Sequence, residues 1–196
     1  MKRKFKINSE MKKFLILLLI IGVSPLIGGI YGILNDQLTY TISPEYYTKF
    51  KFFQFGLIDL VNSANPRIGV SAVGFLATWW VGLPIGIILG LVGLIHKNSK
   101  RMFYVSLKAI LVTVIVTFVI GLIGLAYGKL YLAHTGVNWW FPDNLVDTKN
   151  FIAVGSMHNF SYYLGGPAGV IAGVIYSIRQ KRKQATTETD NKNASQ

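Results

Sequence analysis

Four long apolar runs constrain this chain more than any other feature. They lie at about Phe14–Leu34, Gly69–Ile95, Phe103–Gly128 and Phe151–Ile178. Each exceeds the ~20 apolar residues that cross ~30 Å of hydrocarbon. Runs this long, with almost no charge inside them, read as membrane-spanning helices. The expected fold is all-α and polytopic: one transmembrane domain over residues 1–178, with outer loops at 35–68 and 129–150. Residues 179–196 read as a disordered basic tail, because Arg179, Lys181, Arg182 and Lys183 lead into a polar, low-hydrophobicity stretch.

The net charge of +12 is unevenly placed. Lys2, Arg3, Lys4, Lys6, Lys12 and Lys13 precede the first run. Lys97, Lys100, Arg101 and Lys108 fall between the second and third, and the tail holds the next cluster. On the other side Lys49, Lys51, Arg67, Lys129 and Lys149 are balanced by Asp36, Glu45, Asp59, Asp143 and Asp147. Positive charge of this kind marks the cytoplasmic side, so both termini are expected there. The pattern accounts for the basic residues without nucleic acid and makes anionic membrane lipids natural partners. With no cysteine, disulfides and thiol chemistry are excluded. The first run is longer than a secretory h-region and no A-x-A-like site follows it, so it reads as an uncleaved anchor.

Two stretches echo each other: Gly82-Leu83-Pro84-Ile85-Gly86-Ile87-Ile88-Leu89-Gly90 and Gly165-Gly166-Pro167-Ala168-Gly169-Val170-Ile171-Ala172-Gly173. Both read G-x-P-x-G-x-I-x-G, and both follow an aromatic pair, Trp79-Trp80 or Tyr162-Tyr163. The ends of runs one and three agree as well, Leu26 to Leu34 against Leu122 to Leu130. The expected architecture is therefore a pair of duplicated hairpins, related as parallel repeats. Small residues recur every fourth position, as in Ser24, Gly28 and Gly32 or Ala109, Thr113, Thr117 and Gly121. Such spacing lines one helix face and lets backbones approach in lipid. Pro84 and Pro167 are expected to kink or loosen their helices at matched places.

In the first outer loop, Ser43-Pro44-Glu45 reads as a helix start, with Ser43 as N-cap. The aromatic residues after it, Tyr46, Tyr47, Phe50 and Phe53, suit a short helix lying on the membrane interface. The stretch from Tyr31 to Phe52, Y-G-I-L-N-D-Q-L-T-Y-T-I-S-P-E-Y-Y-T-K-F-K-F, resembles a family of uncharacterised bacterial membrane proteins. That family carries Y-G-x-x-x-D-Q-x-T…P-E-Y-F-T-like residues after its first span. A weaker agreement surrounds Met157-His158-Asn159. The resemblance implies a bacterial four-span protein of the cytoplasmic membrane, and adds no chemistry.

His158 and Asn159 stand ~10 Å inside the fourth run, at 1.5 Å per residue. The repeat aligns them with Phe75 and Leu76, so one copy is polar where the other is apolar. Ionisable groups at such depth face a bundle interior or a wet cavity. Asp36 and Glu45 are the expected partners of His158, in a cluster able to bind a metal, relay protons or orient a substrate. The plainer reading is a structural hydrogen bond. No metal site is expected, and neither a phosphate loop, a G-x-S-x-G elbow nor a cofactor motif occurs.

Three functions follow. The first is a non-enzymatic accessory, scaffold or interaction subunit, as a homo-oligomer or with another membrane protein. The second is a small homo-oligomeric transporter or channel with its polar site near His158. The third is a membrane-embedded enzyme using His158 with Asp36 or Glu45.

Overall fold

The computed structural model describes residues 8–63 and 65–193, and every regular element among them is helical. The basic cluster Lys2–Lys6 lies outside the described residues, as do 194–196 of the expected tail. The long helices are α1 (Ser9–Ile42), α5 (Pro66–Gly93) and α6 (Ser99–Tyr127). Short helices α2 (Pro44–Tyr46), α3 (Phe52–Gln54) and α4 (Ile58–Ser63) lie between α1 and α5, and α7 (Ala133–Thr135) follows α6. From Thr148 to Asn193 the chain is helical without a break, as α8 (Thr148–Asn159), a π-helical turn at Phe160–Gly165 and α9 (Gly166–Asn193). Among the described residues, three helices are long and apolar enough to cross a membrane: Ser9–Ile42, Pro66–Gly93 and the stretch Ser99–Thr135. The fourth helical rod is divided by its π turn and ends in a polar tail.

Local chemistry sets the helix starts. The Asn65 side chain accepts from the Arg67 amide at 3.0 Å, with Pro66 in the first turn where no N–H is needed. Asn98 accepts from the Arg101 amide at 2.8 Å and Asp147 from the Asn150 amide at 3.0 Å. At α2 the start is where the sequence puts it, but Ser43 makes no side-chain cap and its buried hydroxyl is unpartnered.

Glycine brings the helices together in antiparallel pairs. α1 packs along α5, while α6 packs along α8, the π turn and α9. Gly32 and Gly74 face each other so closely that a Cβ on either would overlap the other's backbone. The Thr78 hydroxyl lies 2.8 Å from the Gly28 carbonyl and 2.7 Å from the Gly74 carbonyl, and its proton serves either. In the second pair Thr113 donates to the Gly169 carbonyl at 2.9 Å, and Thr117 to the Gly165 carbonyl at 3.0 Å. Interhelical bonds of this sort contribute about 0.6 kcal/mol each in lipid. Van der Waals contact between the closely approaching backbones supplies the rest.

Four expectations need correction. α1 does not end at Leu34 but runs on to Ile42, because Asn35, Asp36 and Thr39 find buried partners beyond the apolar run. The aromatic rings of the first outer loop do not all face outward: Tyr46, Tyr47 and Phe52 are buried against Val70, Val73, Phe151 and Val154 at one end of the bundle, while Phe53 stays exposed. Burying each such ring contributes about 2 kcal/mol relative to water. The tail is helical to Asn193: Arg179–Ala185 is rich in good helix formers and is templated by the turns before it. Finally, the two prolines differ. Pro84 sits inside a continuous α-helix, whereas Pro167 directly follows the widened π turn. A ring at Pro167 crowds the carbonyl four residues back, and a wider turn relieves that contact.

Candidate functional site

Between the two helix pairs lies a cavity of about 610 Å³. One apolar cluster, around Tyr46 and Phe151, closes it at one end; another, around Ile20, Leu89 and Ile110, lies at the other. α1 contributes Ser24, Tyr31, Asn35 and Asp36 to its wall; α5 contributes Thr78 and Trp80; α6 contributes Thr113 and Thr117. His158, Asn159 and Ser161 come from the α8–π segment, and Lys51 and Gln54 from the cap.

The structure brings His158 and Asp36 together. His158 Nε2 lies 3.1 Å from Asp36 Oδ1, and its Nδ1 lies 2.9 Å from the Val154 carbonyl. A carbonyl only accepts, so Nδ1 carries a proton. The opposite nitrogen then faces a carboxylate oxygen, and that contact requires a second proton between them. Imidazolium with carboxylate satisfies it, and so does imidazole with carboxylic acid. Either arrangement places one proton between the two groups. Tyr46 stacks on the His158 ring, with centroids 5.1 Å apart and planes 22° apart, and fixes its orientation.

Asp36 is only 4% exposed and its neighbour Asn35 6%. Asn35 Nδ2 reaches Asp36 Oδ1 at 3.4 Å, and Asn35 Oδ1 is left with no partner. The Tyr31 and Ser161 hydroxyls are also buried; each neighbours the other and neither reaches any further partner, the Ser161 residue being 9% exposed. All three groups line the cavity. A buried polar atom without a partner costs about 1–3 kcal/mol, so Asn35 Oδ1, with the Tyr31 and Ser161 hydroxyls beside the same cavity, makes this its polar wall.

Lys51 sits at the capped end, donating to Gln54 Oε1 at 2.8 Å. Its ammonium lies over the rings of Phe50, Tyr46 and Phe55 at 5.0, 5.6 and 5.8 Å. Burial lowers its pKa, against the opposing pull of Asp36. Burial also raises the Tyr46 and Tyr47 phenols, and the Asp36 charge adds to it. Tyr47 shares a 2.6 Å hydrogen bond with Thr39.

Asn159 lines the same cavity as His158. Glu45, the other expected partner, is elsewhere engaged. Its carboxylate accepts from the Val146 and Asp147 amides at 3.0 and 2.8 Å and pairs with Lys49 at 2.6 Å. Glu45 thus pins the second outer loop to the cap, just ahead of α8, and takes no part in the cavity. Gly82 and Gly166 touch the cavity wall, while Gly86, Gly90, Gly169 and Gly173 pack helix against helix. Sequence reasoning missed Tyr31, Asn35, Lys51 and Ser161. Asn35-Asp36 was a usable signal, since two polar residues continue the helical register of α1 directly below its glycine face.

Among the described residues no group of three or more His, Cys, Asp or Glu is placed to hold a metal ion. No protein-family model, curated protein or solved structure matches this chain.

Proposed function

We propose that this is a four-span integral protein of a bacterial cytoplasmic membrane, with both termini cytoplasmic and two hairpins of common origin. We further propose that it carries a small polar solute across the membrane through the cavity between the hairpins, coupled to the proton of the His158–Asp36 pair. The observation that carries this reading is the buried polar lining, Tyr31, Asn35 and Ser161, in the same cavity as the His158–Asp36 contact. Polar groups within a membrane protein mark solute and proton paths. The glycine faces that argued for an accessory subunit are spent between the chain's own helices, which favours the transport reading. For an enzyme, a nucleophile would need the His158 base, but both ring nitrogens of His158 are engaged by Val154 and Asp36 and none meets Ser161.

The test is a binding and flux experiment on the full chain in proteoliposomes. Amino acids, small sugars and polyols are screened by thermal shift, and any that stabilise are followed by uptake with an imposed proton gradient. Wild type is expected to take up at least one class, faster with an inward gradient. Asp36→Asn and His158→Gln should still fold and bind, and lose the dependence on the gradient. Uptake that ignores the gradient in wild type, or no stabilising solute at all, rejects the reading.

A further inference from the structure

The opposite end of the bundle has a second hollow, about 420 Å³, between the start of α6 and α9. Lys100, Tyr104 and Lys108 fall four residues apart on α6, with Arg101 beside them. That spacing lines one helix face. Tyr176 and Gln180 of α9 form the facing wall, and among the described residues no acidic one lines the hollow. Arg101 Nη2 donates to the Gln180 carbonyl at 3.0 Å, which fixes the guanidinium, while its buried Nε has no partner. Lys100 and Lys108 make no ion pair among the described residues.

Three cations converging without a carboxylate repel one another, and a bound anion relieves that cost. The local field is felt nearby: His96 is held below its usual pKa by burial first, and then by the charges of Arg101 and Lys181. A fixed guanidinium between two mobile ammonium groups suits the several oxygens of a phosphate. The same α6 face continues past Lys108 into apolar residues turned outward, Leu111 at 47% and Ile115 at 61% exposure. A free phosphate has no use for that surface, whereas an acyl chain does.

We propose that this hollow binds the phosphate head group of an anionic phospholipid, whose chain lies along Leu111 and Ile115. Lys108 reaches from within the helix toward the head group, its stem on apolar surface and its charge among phosphate oxygens. Basic pockets between membrane helices hold anionic lipids in this way. The inference is independent of the solute cavity, because it uses none of the same residues.

The experiment is thermal unfolding of the full chain in neutral detergent, with added phosphatidylglycerol, phosphatidylcholine or sodium phosphate at matched ionic strength. Phosphatidylglycerol is expected to raise Tm by about 3 °C, and the other two by less than about 1 °C. The double variant Lys100→Gln/Lys108→Gln changes only exposed side chains, so it should fold and lose at least about half of the rise. Lys12→Gln/Lys13→Gln, on α1, should keep it. Equal stabilisation by phosphatidylcholine, or an undiminished rise in the Lys100/Lys108 variant, overturns the proposal. So does a full rise with sodium phosphate alone, since the site would then serve free phosphate.

Discussion

The two helix pairs use the same glue and put it to different ends. In the α1–α5 pair glycine meets glycine, and Thr78 spends its hydroxyl on two carbonyls. Both α1 and α5 remain α-helical throughout, with Pro25 and Pro84 inside them. In the α6–α8–α9 pair, glycine meets threonine, and π turns interrupt the helices at Gly128–Leu132 and Phe160–Gly165. Aligned through the G-x-P-x-G stretches, Ser161 stands where Thr78 does, yet its hydroxyl has no partner beyond Tyr31 and faces the cavity. His158 stands where Phe75 does. One pair is unbroken α-helix and the other is interrupted by π turns, and the cavity between them takes spare polar groups from both, Tyr31 and Asn35 of α1 and Ser161 of the π turn. The difference separates polar groups that hold a bundle together from polar groups that await a ligand.

The sharpest break in that contrast is steric. Gly74→Val places a side chain inside the Gly32 backbone, and overpacking against backbone costs about 3 kcal/mol or more. Gly22→Val meets nothing within 4 Å and should change stability by less than about 0.5 kcal/mol. Unfolding in detergent, read by helical circular dichroism, compares the two. Equal stability would mean that the α1–α5 pair is not packed through its glycine face.

Next in size is the His158–Asp36 pair. Removing one member of a buried pair leaves the other uncompensated, at about 3 kcal/mol. Asp36→Leu and His158→Leu should each cost about that much, and the double variant much less than their sum. A double-mutant cycle giving a coupling below about 0.5 kcal/mol would show that the pair is not formed.

Those two predictions rest on features that differ in how far the sequence disclosed them. The apolar runs are legible because nothing else explains such length without charge, and three of the four fall on the helices long and apolar enough to cross a membrane among the described residues. The His158–Asp36 contact was legible because an ionisable group deep in an apolar run needs a partner on the same side. Glu45 was indistinguishable from Asp36 on that argument; only geometry sends it to the amides of Val146 and Asp147. The end of α1 was misplaced because hydrophobicity stops at Leu34, while the hydrogen bonds that carry the helix on belong to buried polar residues. The burial of the aromatic cap is not legible for a related reason: Tyr46 and Tyr47 suit an interface and a core equally well, and only tertiary packing shows them buried. The π turn at Phe160–Gly165 leaves no composition signal: Pro167 follows it, but Pro25 and Pro84 stand in unbroken α-helices.

A smaller effect sharpens the comparison directly. Thr78→Val removes a satisfied hydroxyl and its one interhelical hydrogen bond, for a loss of about 1 kcal/mol. Ser161→Ala removes one with no partner beyond Tyr31 and should be neutral or slightly stabilising, with the solute cavity impaired. Chemical unfolding of both variants reads the sign. A loss for Ser161→Ala equal to that for Thr78→Val would mean that Ser161 already has a structural role, and the distinction between the pairs would fail.

The smallest effect tests whether the cap belongs to the second pair. Lys49, then the Val146 and Asp147 amides, hold the Glu45 pKa down to about 2, from an ordinary 4.5. A depressed carboxylate contributes stability that is fully present above 4.5 and is lost as pH falls through the window toward 2. The group is close to solvent, so screening keeps the contribution small. The expected readout is therefore local: amide exchange at Val146 and Asp147, corrected for its intrinsic pH dependence, should quicken between these limits while the long helices stay protected. Glu45→Gln should show the faster exchange already at neutral pH, with no further change on acidification. If Val146 and Asp147 stay equally protected in that variant, the second outer loop is held by something other than Glu45. The hold of the cap on α8, and with it on His158, would then have to come from the Tyr46 and Phe151 rings alone.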